Sequence, residues 1–224
     1  MITQYSGNMI MQRPLEHTNQ DSVILPLSYL PSIDHYCFLA RFSNLLFEVH
    51  ETFPKQTCRN RTNILSANGV LRLSVPVIKP NGNRTRTNEV IIDNKEAWNR
   101  IHWRAIVSAY NKSPFFLFYK DDFEAVYDRP EGLLIDFNQK LIGIINKSLK
   151  IKTDLRLTDN YQSKYNENYY DFRNCPKQQF KTIFNQVPYT QVFADRFPFM
   201  PNLSIIDLLF NEGPYASKYL MNTD

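Results

Sequence analysis

The stretch VILPLSYLPSIDHYCFLARFSNLLFEVH, residues 23–50, decides the fold. Val23, Ile24 and Leu25 form a short apolar run that suits a buried strand, and Pro26 closes it because proline has no backbone N–H for the next ladder position. The chain turns over residues 28–31. Across residues 32–41, Ile33, Tyr36, Cys37 and Ala40 recur at helical spacing, and LLFEVH, residues 45–50, then reads as a second strand. A strand, helix, strand unit at the start predicts an α/β fold.

Further along, NILSANGVLRLSVPV, residues 63–77, carries Asn68-Gly69, a pair that accepts the positive φ angles of a tight turn. Leu71, Leu73 and Val75 alternate with Arg72 and Ser74, which predicts a β-hairpin. The polar and basic run KPNGNRTRTNE, residues 79–89, reads as an exposed loop before a short strand near residues 90–92. Asp93 is placed to cap a helix, with Glu96 reaching back, and Trp98, Ile101, His102, Ala105 and Ala109 share one helical face that ends before Pro114. Helices are predicted over residues 115–127 and 133–149, the latter burying Leu134, Phe137, Leu141 and Ile144 or Ile145. Residues 158–179 are polar, rich in Tyr and Asn, and longer than an ordinary loop, a combination often met at functional sites. Near the end, Ser204 caps a short apolar helix with Asp207 at its third position and Gly213 stopping it. These elements predict one α/β domain over residues 23–224, a mixed β-sheet with packed helices and one β-hairpin, preceded by a flexible segment, residues 1–22.

Composition narrows the function. Of 224 residues, 43% are hydrophobic and 14% aromatic, a globular rather than disordered balance. The net charge of +4 leaves Lys and Arg interleaved with Asp and Glu, so no basic field of the kind that tracks a nucleic-acid backbone is expected. Neither an export h-region nor a membrane-length apolar run is present in the sequence. Cys37, Cys58 and Cys175 are scattered and odd in number, which suggests reduced thiols and a cytoplasmic location, and no spacing suggests a metal or cofactor site. The familiar phosphate-loop, nucleophile-elbow and zinc-protease patterns are absent, so any phosphate would have to be held by Arg and Lys.

The densest polar group is Lys55, Gln56, Arg59, Asn60, Arg61 and Asn63, just before the hairpin. A guanidinium offers paired donors that match phosphate oxygens, and amides both give to and accept from sugar hydroxyls. The plainer alternative has the arginines in surface ion pairs and the amides in a turn. His102, on the core-facing side of its helix, is the first candidate for general base, although such a histidine is more often a hydrogen-bonded packing residue. Tyr29 at the turn after the first strand could stack on a ligand, and Asp171 with Arg173 could form a clamp or simply an ion pair. His50 and Glu51 follow the second strand, where α/β sheets bind ligands, but neighbours on a strand face opposite ways.

Four stretches in order, ILPLSYLPSIDHYCFLAR (24–41), PKQTCRNRTNILSANGVLRLSVPV (54–77), IHWRAIVSAYNKSPFF (101–116) and PNLSIIDLLFNEGP (201–214), resemble the WbqC-like family. YYDFRNCPK, residues 169–177, further resembles versions from Bacteroides-like bacteria. Many members open with His-Gln-Pro-x-Tyr-x-Pro-Trp; here Leu25, Pro26 and Ser32 stand where His, Gln and Trp would be, so no role of that His carries over. The resemblance implies a place among surface-polysaccharide (O-antigen-like) biosynthesis genes and, for some members, transfer of an amino acid such as glycine to a sugar. The expected protein is therefore a transferase acting on a nucleotide sugar or other small-molecule substrate, aminoacyl or acyl transfer to an amino sugar being the reaction. Its alternative is a non-catalytic binding or accessory protein of the same pathway. A homo-oligomer formed through the aromatic surface is a further expectation.

Overall fold

The structure, a computed structural model, describes residues 22–130, 132–152, 156–166, 169–174 and 182–223. Of the segment 1–22, all but Ser22 lies outside the described residues; Ser22 opens the first strand, β1 (Ser22–Pro26). Then follow α1 (Ile33–Arg41), β2 (Asn44–Glu48), the hairpin β3 (Arg61–Ser66) and β4 (Gly69–Ser74), and the short strands β5 (Val77–Ile78) and β6 (Ile91–Ile92). The helices α2 (Trp98–Tyr110), α3 (Phe116–Asp128) and α4 (Leu134–Leu149) come next, before β7 (Arg156–Leu157), β8 (Tyr169–Asp171), α5 (Ile205–Glu212) and α6 (Ala216–Asn222).

The main sheet has the order β7-β2-β1-β8, and every pair in it is parallel. Among the named strands, antiparallel pairing joins β3 with β4 and β5 with β6, so the two strand directions occupy separate sheets, and isolated antiparallel bridges link Ser32 with Ser204, Thr52 with Arg86 and Ile91 with Leu133. β1 is central. It reaches β2 on one side through α1 and meets β8 on the other, so the chain changes direction across the sheet between β1 and β8. Open α/β sheets form their crevice at such a reversal, outside the carboxyl ends of the strands.

The two faces of this sheet are covered differently. Val23, Leu25, Leu45 and Phe47 point one way, into the main hydrophobic core with α1, α4 and α5. Ile24 and Leu46, partners in register on the opposite face, lie outside that core, and Leu157, Thr158, Tyr165 and Tyr169 border Leu46 on that side. Phe210 of α5 is the hub of the helical layer: the rings of Tyr110, Phe116 and Phe123 meet it edge-on at 5.2–5.4 Å.

Two helix starts differ from expectation. Asp93 accepts the Lys95 N–H, and the helix begins only at Trp98, with Ala97 at the cap position. Ser204 does sit at the cap of α5, but its hydroxyl donates to the Leu30 carbonyl and so ties α5 to the turn after β1. Gly213 ends α5 at φ +53°, and a Cβ there would lie 2.4 Å from the Phe115 ring, so both backbone and space require glycine.

Asp207 is fully buried in α5 and accepts three hydrogen bonds, from the Tyr110 hydroxyl (2.9 Å), the Tyr189 hydroxyl (2.5 Å) and the Gln191 amide (3.0 Å). Burial raises its pKa and the three donors oppose that rise. Replacing it by Ala strands three buried donors, and Asp207→Ala should cost about 3 kcal/mol or more of unfolding free energy in urea titrations.

Candidate functional site

A cavity of about 480 Å³ opens at the reversal point. Its floor comes from the end of β1 and the following turn (Leu25, Pro26, Ser28), and one wall from the first turn of α1 (Ser32, Asp34, His35). The strand exit after β8 contributes Phe172 and Asn174, and the segment before the hairpin contributes Lys55, Gln56, Thr57 and Cys58. The hairpin closes it with Arg61, Asn63 and Arg72. Strand geometry explains that last grouping. Arg61 and Asn63 lie two residues apart on β3 and so share a face, and Asn63 is the register partner of Arg72 on β4. The Arg72 Nε donates to Asn63 Oδ1 at 3.4 Å.

The site is electropositive. None of the ion pairs among the described residues involves Lys55, Arg61 or Arg72, and the Arg61 Nε is buried without a partner. The first backbone N–H groups of α1 are already satisfied, Ile33 N by the Leu203 carbonyl (3.0 Å), Asp34 N by Asn202 Oδ1 (3.1 Å) and His35 N by the Ser32 hydroxyl (3.5 Å), so the positive character of the cavity comes from its side chains. Asp34 is the carboxylate in the wall. It accepts from Ile183 N and the Gln186 amide, both at 2.6 Å, and burial pushes its pKa up to about 6 against those hydrogen bonds.

His35 lines the same cavity. Its Nε2 is buried with no hydrogen-bond partner, and its ring stacks on Phe47. Burial, with a smaller contribution from the Arg59 charge, pushes the imidazole down to about 3, so it is neutral at pH 7. The buried Nε2 is thus an unsatisfied polar atom in the wall of the cavity.

The structure thus gathers Lys55, Gln56, Arg61 and Asn63 around one concavity and places other candidates elsewhere. Arg59 is buried against Glu51, whose Oε1 accepts from both its Nε (2.7 Å) and its Nη2, and it also donates to Thr57 Oγ1 (2.7 Å) and the Arg173 carbonyl (3.1 Å). Asn60 is buried and its amide donates to the Val75 carbonyl, pinning the base of the hairpin. Tyr29 belongs to the cavity wall, but its ring is fully buried against Phe137 and cannot be offered to a ligand. Its hydroxyl bonds with Tyr127 (2.6 Å) and with His102 Nδ1 (2.9 Å).

His102 does not reach the cavity. Its ring is buried between Tyr29 and Trp98, and burial lowers its pKa to about 4 against an opposing hydrogen bond with the Ser74 backbone. It is a packed, hydrogen-bonded core residue. Asp171 and Arg173 bond to each other, and Arg173 also pairs with the fully buried Glu48 at 3.4 Å. Phe172 and Asn174, the alternate residues, face the cavity instead. His50 bonds with Asn88 and Glu51 with Arg59, so neither is free for a ligand there.

The expectation of three reduced thiols is corrected. Cys37 is a free, buried thiol, whereas Cys58 in the cavity wall is disulfide-bonded, which removes the inference from cysteine usage to a reducing compartment. Among the described residues no group of three or more His, Cys, Asp and Glu is placed to hold a metal ion, and no helix is long and apolar enough to cross a membrane.

An open parallel sheet flanked by helices, with a positively lined crevice at its strand reversal, defines the class as an α/β protein. The chain belongs to the WbqC-like protein family, whose sequence profile matches residues 28–186 and 163–219. An uncharacterized protein of Mycobacterium tuberculosis, Rv1507c, is 24% identical over 225 residues, covering 88% of this chain and 96% of the relative. No solved structure matches the chain.

Two outcomes separate scaffold from site. Arg59→Ala leaves Glu51 and its neighbour Glu48 as under-compensated buried carboxylates and should cost about 3–5 kcal/mol, whereas Arg61→Ala should change stability by less than about 0.5 kcal/mol; chemical denaturation measures both. Because the Asp34 pKa is raised on folding, the stability it contributes is present at low pH and lost as pH rises through about 6. Asp34→Asn should flatten this dependence, measured by chemical denaturation between about pH 4 and 7.

Proposed function

We propose that the cavity binds the anionic part of a nucleotide-linked sugar and that the protein acts on that precursor in surface-polysaccharide biosynthesis. The observation that carries this is the set Lys55, Arg61 and Arg72: three cations around one crevice, none in an ion pair with a described carboxylate. Uncompensated guanidinium groups favour an anion, and Arg fits the paired oxygens of a diphosphate. Gln56, Asn63 and Asn174 supply amides for sugar hydroxyls, and a volume of about 480 Å³ is in the range of ligand sites. Family membership supports the pathway, and the segment 169–177 supports a Bacteroides-type subgroup.

The reaction we infer is transfer of an aminoacyl or acyl group to an amino sugar. His35, unlike His102, lines the cavity; with its pKa pushed down to about 3 it serves as a neutral hydrogen-bonding group that orients the reacting end, and the proton of the attacking amine leaves to solvent. An accessory protein of the same pathway would share the binding step and differ in yielding no product on prolonged incubation with donors and acceptors.

The test is calorimetric titration of the folded protein with uridine and thymidine diphosphate sugars. Wild type should bind at least one, Arg61→Ala should bind it about tenfold more weakly, and Arg61→Glu should not bind measurably, the loss of one charge-assisted pair setting the scale. Equal affinity in wild type and Arg61→Glu would remove the cavity from the account. His35→Gln should retain binding and lose turnover.

A further inference from the structure

The first part of the Tyr- and Asn-rich stretch, from Thr158 to Asn166, lines with Tyr169 a second groove of about 360 Å³ beside the sheet, apart from the first cavity. Leu46 of β2 lies at its base, on the face that the helices do not cover. Tyr165 and Tyr169 are in its lining, their rings 5.1 Å apart and inclined at 48°, so that they make an angled aromatic corner. Around them stand Asn160, Gln162 and Asn166, none of whose side-chain amides is hydrogen-bonded to another described residue.

The loop is held in place. Arg173, paired with Asp171 and Glu48, donates to the Gln162 carbonyl at 2.6 Å and the Ser163 carbonyl at 3.3 Å. Its guanidinium also lies 5.2 Å from the Tyr165 ring and 5.5 Å from that of Tyr161. A buried cation therefore holds the backbone at Gln162 and Ser163 and the ring of Tyr165 before any ligand arrives. Among the described residues no Arg or Lys lines this groove, in contrast to the anion cavity, and Asp159 is the one charged side chain among them.

Aromatic faces suit the C–H face of a sugar ring, and planar amides match vicinal hydroxyls as both donors and acceptors. We propose that this groove binds an uncharged sugar ring, stacked on Tyr165 and Tyr169 and hydrogen-bonded by Asn160, Gln162 and Asn166. The site does not depend on the anion-binding cavity, and its ligand is a neutral saccharide, free or at the end of a glycan.

Saturation-transfer NMR on the full chain tests this with the methyl glycosides of glucose, galactose and mannose and with N-acetylglucosamine, each at millimolar concentration. Ring protons of at least one sugar should receive saturation from wild type and equally from Arg61→Glu, which disables the other cavity. The sugar should bind about tenfold more weakly to Tyr165→Ala, the scale of one aromatic contact, and should be retained by Tyr165→Phe. The double substitution Asn160→Ala with Gln162→Ala keeps the ring and its Arg173 support and should also lose binding. Absence of transfer from all four sugars, transfer that survives Tyr165→Ala or the amide pair, or transfer abolished by Arg61→Glu would each overturn the proposal.

Discussion

Parallel pairing of β1 with β2 on one side and β8 on the other is the constraint from which the molecule's chemistry follows. Because β1 runs parallel to β2, the intervening helix must start at the carboxyl end of β1, which brings Ser32, Asp34 and His35 to that edge. Because β8 joins from the far side, residues 172 and 174 leave the sheet at the same edge. The hairpin then needs only to fold over this gap for Arg61 and Arg72 to enclose it. Ser204 and Thr62 both donate to the Leu30 carbonyl, which fixes the turn after β1 against α5 and β3 at once.

Two populations of charge serve different ends. Glu48, Glu51, Arg59, Asp171 and Arg173 are paired around the strand ends, where burial raises the Glu51 pKa and lowers that of Arg59 while their attraction opposes both. Such a network contributes little net stability but is costly to break, so it fixes geometry. Lys55, Arg61 and Arg72 face the cavity outside any described ion pair and leave positive potential for a ligand. The same Arg173 that closes the paired set anchors the loop of the second groove.

The strand, helix, strand opening was legible because its periods are clean, as were the Asn68-Gly69 turn and the helices over residues 116–128 and 134–149. The direction of pairing was not, since alternation is the same for parallel and antiparallel neighbours. For the site, the sequence drew attention to the segment 55–63 but could not divide it into residues that line the cavity and residues that are paired away from it. Arg59 and Arg61 are alike in composition, and it is the nearby Glu51 that captures one of them. Residues 171 and 173 stood out as charged, while strand alternation turns their plainer neighbours Phe172 and Asn174 to the cavity. His35 was open to detection: a helix that follows a strand begins at the carboxyl edge, and a histidine in its first turn belongs to that edge. His102 drew notice for its residue type, yet its helix faces Tyr29 and Trp98 in the core.

The most direct test is a crystal structure of the protein grown with a nucleoside diphosphate sugar. Diphosphate density between the first turn of α1 and the Arg61 and Arg72 guanidinium groups is the expected result. Density on the basic loop around Arg84 and Arg86, with the crevice beside His35 filled only by solvent, would contradict the account.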